Sequence, residues 1–527
     1  MTKTKNKLSA KQNSEKPHRI QDKFSAVCTV FALCVLFLIM LYLSFIALCN
    51  TVDMNMNNSM LENVEFHGDN FIFNIIMLVV FAAVIYLYRR LISRVNVWIP
   101  IAVCCISVLI LGIIWVFSSQ SAPTHDSLIV SRAAYKASIG DYSSLRADYF
   151  KRFPFQLGYV LFSEIIIKLF RTGDNYLAVE VVNVVCLAVS YFSLLMATRR
   201  IFKNDSVTKI LSLLFVACMP PILFCTFTYG NIPGLMFAAL SIWQYTEIKE
   251  ESKLNILHAV LCALFMGISV CIKKNFLIAT VALIIIAAVE FLRRIKLINA
   301  ICILLCVISI AGCTKAVTLY YEKKADFEFG DGIPMVSWLC MGLNESTIAP
   351  GWYNGKYTVT NFHSHNMDPK LAGEASKEEI KKRLEVFSDD KAYRDDFFSK
   401  KVASQWNEPS YQSIWTNQVR GRYGEMGKWA TYVCGDGEAK TKQYMNLFQQ
   451  FIFCLCALSS VVIIKKHRNI KAALFPTIII GGFLYHLLFE AKSQYAISYF
   501  IFMIPLAAVA IEEISLWAEA KFSKKYS

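Results

Sequence analysis

The sequence predicts an all-α polytopic membrane protein of about twelve spans, with interfacial helices and one extracytoplasmic α-rich or α/β loop domain. Three observations carry this prediction. The 527 residues are 56% hydrophobic and only 18% charged, with a mean hydropathy of +0.44, whereas soluble domains carry roughly 25% charged residues. Apolar runs of about 20 residues, the length that crosses a bilayer, recur from residue 24 almost to the end. Between them Lys and Arg gather in short clusters, which the positive-inside rule assigns to the cytoplasm.

Those clusters lie within residues 3–23, at Arg89, Arg90 and Arg94, at Arg199, Arg200 and Lys203, at Arg293, Arg294 and Lys296, at Lys465, Lys466 and Arg468, and at Lys521, Lys524 and Lys525. Because the net charge of +15 is spread over turns and not gathered into one basic, aromatic-rich domain, the expected partner is the lipid bilayer and not nucleic acid. The 17 cysteines sit mostly inside apolar runs without zinc spacing and read as small apolar fillers. Cys340 and Cys434 are the pair whose outer position permits a disulfide. No P-loop is present, which excludes an ATP-driven transporter built from this chain alone.

Taken in order, residues 1–23 form a basic cytoplasmic tail and 24–49 the first span. That run exceeds the roughly 7–15 residues of a signal-peptide core and lacks a small-residue cleavage site, so it is expected to stay as an anchor. Spans two and three cover 71–88 and 97–118. The loop 50–70 has Asp53, Glu62, Glu65 and Asp69 but no Lys or Arg, and is expected outside. Span three then delivers the loop 119–158 to the outer face. The apolar piece 155–170 is short and carries Glu164 and Lys168; if it crossed, Arg199 to Lys203 would lie outside, so it reads as an interfacial helix.

Spans follow at 175–197, 208–228, 232–247, 255–271, 276–292 and 297–318, completing a membrane module over 24–319. Residues 320–445 turn polar and read as one outer domain, a size normal for a small domain. Spans at 446–464, 472–489 and 495–517, within the C-terminal module 446–527, return the chain to the cytoplasm. Both termini are expected inside, in a bacterial plasma membrane with the active site extracytoplasmic.

The candidate chemistry lies in the outer segments. Asp126 follows the apolar part of span three by eight residues, at headgroup depth, where a carboxylate suits a general base toward an acceptor hydroxyl and His125 beside it suits phosphate binding. Arg132 and Lys136 are four apart on one helix face, and Arg152 precedes Phe153-Pro154-Phe155-Gln156-Leu157-Gly158; cations at this depth pair with lipid phosphate or simply snorkel. Lys273 and Lys274, in an outer turn, break the positive-inside pattern and suit either further phosphate ligands or plain headgroup contacts. Tyr485, His486, Glu490, Lys492 and Gln494, where two late spans meet, suit acceptor or donor contacts or simply a local Glu490–Lys492 ion pair. His363, His365 and Asp368 lack a convincing third-ligand spacing, so no metal is expected.

These segments resemble the polytopic GT-C glycosyltransferases, and most of all the bacterial, protein-mannosyltransferase-like branch of family 39. The likeness is carried by Asp126, by Ala137 to Tyr142, by Phe153 to Gly158, by Trp338 to Leu343 with Gly351-Trp352-Tyr353-Asn354, by Trp406-Asn407-Glu408-Pro409, by Phe489 to Tyr495 and by Pro505 to Ala508. The resemblance implies a GT-C-like fold, a polyprenyl-phosphate-linked sugar as donor, Asp126 as base, and Lys273 or Lys274 with Arg132 or Arg152 on the lipid phosphate. His125 stands where many members have a second acid, which favours a metal-free mechanism without cofactors. The expected reaction is transfer of a sugar from undecaprenyl phosphate to a cell-envelope glycan acceptor. Two alternatives stand beside it: a flippase or transporter, expected to show two related halves, and a glycan polymerase or ligase relying on Arg420 and Arg422.

Overall fold

The computed structural model describes residues 2–56, 62–249, 252–466 and 469–526, the side chains of 2–19 and 522–526 excepted. The chain is a helical bundle with two chemically different ends. It starts with α1 (Thr2–Cys49), followed by the antiparallel hairpin β1 (Asn50–Met56) and β2 (Glu62–Gly68), then α2 (Phe71–Leu91) and α3 (Trp98–Ser119). Asn70 starts α2 by accepting the Phe73 N–H at 3.0 Å, and Arg89 and Arg90 sit in its last turn, where cations complement the helix dipole.

A compact polar-to-apolar stretch comes next: β3 (Ser121–Ala122), α4 (His125–Ser138), α5 (Asp148–Arg152) and α6 (Leu157–Phe170). With 14 residues, α6 is about 21 Å long, too short for a hydrocarbon core of about 30 Å. It packs along α4 instead of crossing, as its sequence predicts. The bundle continues with α7 (Leu177–Phe202), α8 (Asp205–Ala217), α9 (Met219–Leu223), α10 (Asn231–Glu247), α11 (Asn255–Ile272), α12 (Leu277–Arg294) and α13 (Leu297–Ala325). The α8–α9 pair is a span broken by 54° at Cys218, where Pro220 and Pro221 open the second half.

The polar region holds α14 (Met335–Gly342), α15 (Asn361–Ser364), α16 (Pro369–Asp389), α17 (Lys391–Trp406), α18 (Ser413–Gln418), β4 (Gly421–Arg422) and α19 (Lys428–Cys434). Asp368 and Asp390 cap α16 and α17 by accepting backbone N–H groups. Among the described residues its strand content is β4 alone, which pairs with β3, so the region is α-rich and not α/β. The last helices are α20 (Glu438–Lys466), α21 (Leu474–Leu488) and α22 (Ser493–Tyr526).

Among the described residues ten helices are long and apolar enough to cross a membrane, or eleven with the bent pair, against about twelve expected. The difference is α10, which has 17 residues. It still runs the length of the bundle, from Tyr229 at one end to Glu247, which pairs with Arg200 at 2.6 Å, at the other. The basic turns converge at that second end: Arg199, Arg200, Lys203, Arg293, Arg294, Lys296 and Lys471 line one depression, Arg89 pairs with Glu512 and Glu519, and Arg293 pairs with Asp22. The polar helices and the loop before α4 lie at the opposite end. The disulfide that an outer position would permit is not formed: Cys340 and Cys434 are both free thiols.

Candidate functional site

A cavity of about 870 Å³ opens at the polar end and gathers side chains from ten separate stretches of sequence. Thr124 begins α4, and Ser127 Oγ accepts the Thr124 N–H at 3.2 Å while donating to its carbonyl at 2.7 Å. This turn presents His125 and Asp126 to the cavity, both exposed. His125 has φ 47°, in the left-handed region that costs a non-glycine residue about 1 kcal/mol or more. Strain of that kind persists where neighbouring structure enforces it.

Asp126 accepts a hydrogen bond from the Tyr229 hydroxyl at 3.3 Å. Tyr229 is held in turn by Tyr149, oxygen to oxygen at 3.2 Å, and by the Gln156 amide, which donates at 2.6 Å. On the other side of Tyr229 the Lys273 ammonium sits 4.4 Å from the ring centroid, and 5.7 Å from the ring of Tyr495. Tyr495 donates to Glu490 at 3.2 Å. One connected path of contacts therefore links Asp126, Tyr229, Lys273, Tyr495 and Glu490.

Burial pushes the Lys273 ammonium down to about 8, partly offset by Glu490. Burial likewise pushes Glu490 up to about 7, against the pull of Lys492. Burial also works against the Lys492 charge, but Glu62 and Glu490 outweigh it and hold that ammonium above its ordinary value. Glu62 comes from β2 and meets Lys492 at 2.5 Å. Lys401, fully buried on α17, donates to the carbonyls of Gly342 and Phe489, the latter at 2.8 Å, and so fixes the approach of Glu490. Lys274 lies 5.3 Å from the Phe155 ring, and Arg152 lies beside it on the rim.

Most of the residues singled out from sequence come together here: His125, Asp126, Arg152, Lys273, Lys274, Tyr485, His486, Glu490, Lys492 and Gln494 all line the cavity. Arg132 and Lys136 do not. Both are exposed on the outer side of α4, whose packed face is Ser127, Val130, Ser131, Ala134 and Ala137, and Lys136 pairs with Asp141 at 3.6 Å. Arg420 also lines the cavity, but it is buried against Glu180 at 3.7 Å and donates to the Thr226 carbonyl. Arg422 donates to the Asn417 carbonyl and lies outside the lining. His363 pairs with Asp148 at 3.1 Å, while Asp368 caps α16, so the HxH segment does not converge on a common point.

The sequence reading did not assign Glu62, Tyr149, Tyr229 or Tyr495 to the site. Glu62 stood out only as one of four outer-loop acids, Tyr229 only in its tight Tyr-Gly-Asn-Ile-Pro-Gly turn and Tyr495 only as the end of the Phe489 to Tyr495 segment, while Tyr149 had no local signal. The cavity thus has the exposed Asp126 carboxylate on a hydrogen-bonded phenol, a second exposed carboxylate, Asp331, the cations Lys273, Lys274 and Arg152 for an anion, and an apolar wall of Phe155, Ile333, Met335 and Trp338. No curated protein and no solved structure matches the chain. A family model described as conserved hypothetical integral membrane protein matches residues 24–515, and the chain belongs to that family.

Proposed function

We propose that this protein is an inverting glycosyltransferase that moves a sugar from a polyprenyl-phosphate donor to a cell-envelope glycopolymer on the extracytoplasmic face of a bacterial plasma membrane. One observation carries the reading: an accessible carboxylate, Asp126, and a cation cluster, Lys273 with Lys274 and Arg152, share one cavity at the end opposite the basic turns. The chemistry needs those two functions a short distance apart. Asp126 takes the proton of the acceptor hydroxyl as its oxygen forms the bond to the anomeric carbon. The bond from that carbon to the phosphate oxygen breaks, and the electron pair leaves on the polyprenyl phosphate, whose charge the cations stabilise.

Tyr229 holds the Asp126 carboxylate by one hydrogen bond and leaves its remaining lone pairs for the acceptor. Lys273 packs against the same ring, so base and phosphate grip are set by one side chain. The polymerase reading is weaker because Arg420 is already committed to Glu180 and Thr226. Conversion of a polyprenyl-phosphate sugar by the purified protein tests the proposal. Asp126→Asn is expected to fold and to lose transfer; an Asn variant with normal transfer overturns the assignment of the base.

A further inference from the structure

Far from that cavity, α11 and α13 bring three thiols together inside the bundle. Cys262 on α11 faces Cys302 and Cys306, one turn apart on α13, and all three are 0% exposed. Their sulfurs lie within 4.8 Å of one another, and Cys302 Sγ is 3.9 Å from Cys262 Sγ. Soft ions favour thiolate ligands, and a three-coordinate ion bonded to sulfur at about 2.3 Å sets its ligands roughly 4.0 Å apart. The triangle is close to that size without rearrangement.

The surroundings suit such an ion. The two helices meet through small residues: a Cβ on Gly267 would stand 2.2 Å from Ser309 Oγ, so both backbones are held at fixed, short separation. Ser241 on α10 donates to the Cys262 carbonyl at 2.7 Å and lies 3.3 Å from its sulfur, which steadies the ligand from behind. Toward the basic end Lys471 stacks 5.1 Å from the Tyr245 ring and pairs with Glu290 at 3.8 Å. Among the described residues no His, Asp or Glu joins the three thiols, so hard ions lack oxygen ligands there and Zn(II) lacks the fourth protein ligand it usually takes.

We infer that Cys262, Cys302 and Cys306 form a binding site for a soft monovalent ion of the Cu(I) class, which staples α11 to α13. Binding breaks two S–H bonds, forms two metal–thiolate bonds and one metal–thiol bond, and releases two protons. The bound ion and its ligands together carry a single negative charge.

The test is titration of the full-length chain, purified in detergent under anaerobic reducing conditions, with Cu(I) against a coloured Cu(I) chelator. The unmodified chain is expected to take up one more equivalent than Cys262→Ala, Cys302→Ala or Cys306→Ala. Cys456→Ala, which removes an equally buried thiol on α20, is expected to behave like the unmodified chain. Cu(I) is further expected to raise the melting temperature only of the chains that keep all three thiols. Where an Ala variant loses monodispersity, the near-isosteric Ser variant repeats the comparison. Equal uptake by all five proteins overturns the site, as does a Cys262–Cys302 disulfide in the purified chain. Tight Zn(II) binding to the same thiols without a Cu(I) equivalent overturns the ion class.

Discussion

At Lys273 two forces oppose each other. Burial beside aromatic rings works against the ammonium, while Glu490 nearby works for it, and the outcome is a group that loses its proton at about 8 instead of near 10.5. Below that value the cation is available for a phosphate; above it the grip is lost. Transfer is therefore expected to fall as pH rises through about 8. Lys273→Arg keeps its charge and is expected to move that alkaline limb upward, whereas Lys273→Met removes the limb and lowers kcat/KM by about 10²–10³. A pH–rate profile of the three proteins checks this. The residue was legible because two lysines in an outer turn break a rule the rest of the chain obeys. Its ring partners Tyr229 and Tyr495, and Glu62 on the neighbouring Lys492, were not, because they come from a turn, a span end and a hairpin whose sequences carry no shared pattern. Arg132 and Lys136 mislead for the opposite reason: four-residue spacing puts them on one face of α4, and that face points away from the cavity.

Among the elements, α6 does the most to position the site. Gly158 near its start lies directly against the backbone of α11, and a Cβ there would stand 1.9 Å from the Cys271 carbonyl oxygen, two residues before Lys273. The close approach holds Gln156 against the Tyr229 hydroxyl and Lys273 against its ring. Gly158→Val must drive the two helices apart. It is expected to cost about 1–3 kcal/mol of stability and to lower transfer in the same protein. Gly68→Ala, with no atom within 4 Å of the new Cβ, is expected to change neither. Thermal denaturation in detergent beside the transfer assay distinguishes the two. The interfacial character of α6 was readable from its length and from the charge rule. Its packing against α11 was not, since a glycine in Phe-Pro-Phe-Gln-Leu-Gly reads equally well as turn punctuation.

For the whole molecule, the charge clusters that mark the turns in the sequence converge at one end of the bundle, and the cavity opens at the other. About twelve passes were expected; among the described residues ten or eleven helices are long and apolar enough to cross, and α10, at 17 residues, is the expected span that falls short. Hydropathy registers such a helix poorly because its neighbours, and not lipid, cover it. We propose that the polar helices lie outside and both chain ends inside. Alkaline phosphatase fused within 390–400 is expected to be active, and the same enzyme fused at the C-terminus inactive; the reverse pattern contradicts the assignment of sides.

The most direct measurement is mass analysis of the envelope polysaccharide from cells that lack the gene and carry either the unmodified chain or Asp126→Asn. The account predicts that the unmodified chain restores one sugar branch on an intact backbone and that Asp126→Asn, present in the membrane at the same level, restores none. A polysaccharide that is the same with and without the gene, or fully decorated by Asp126→Asn, would contradict it.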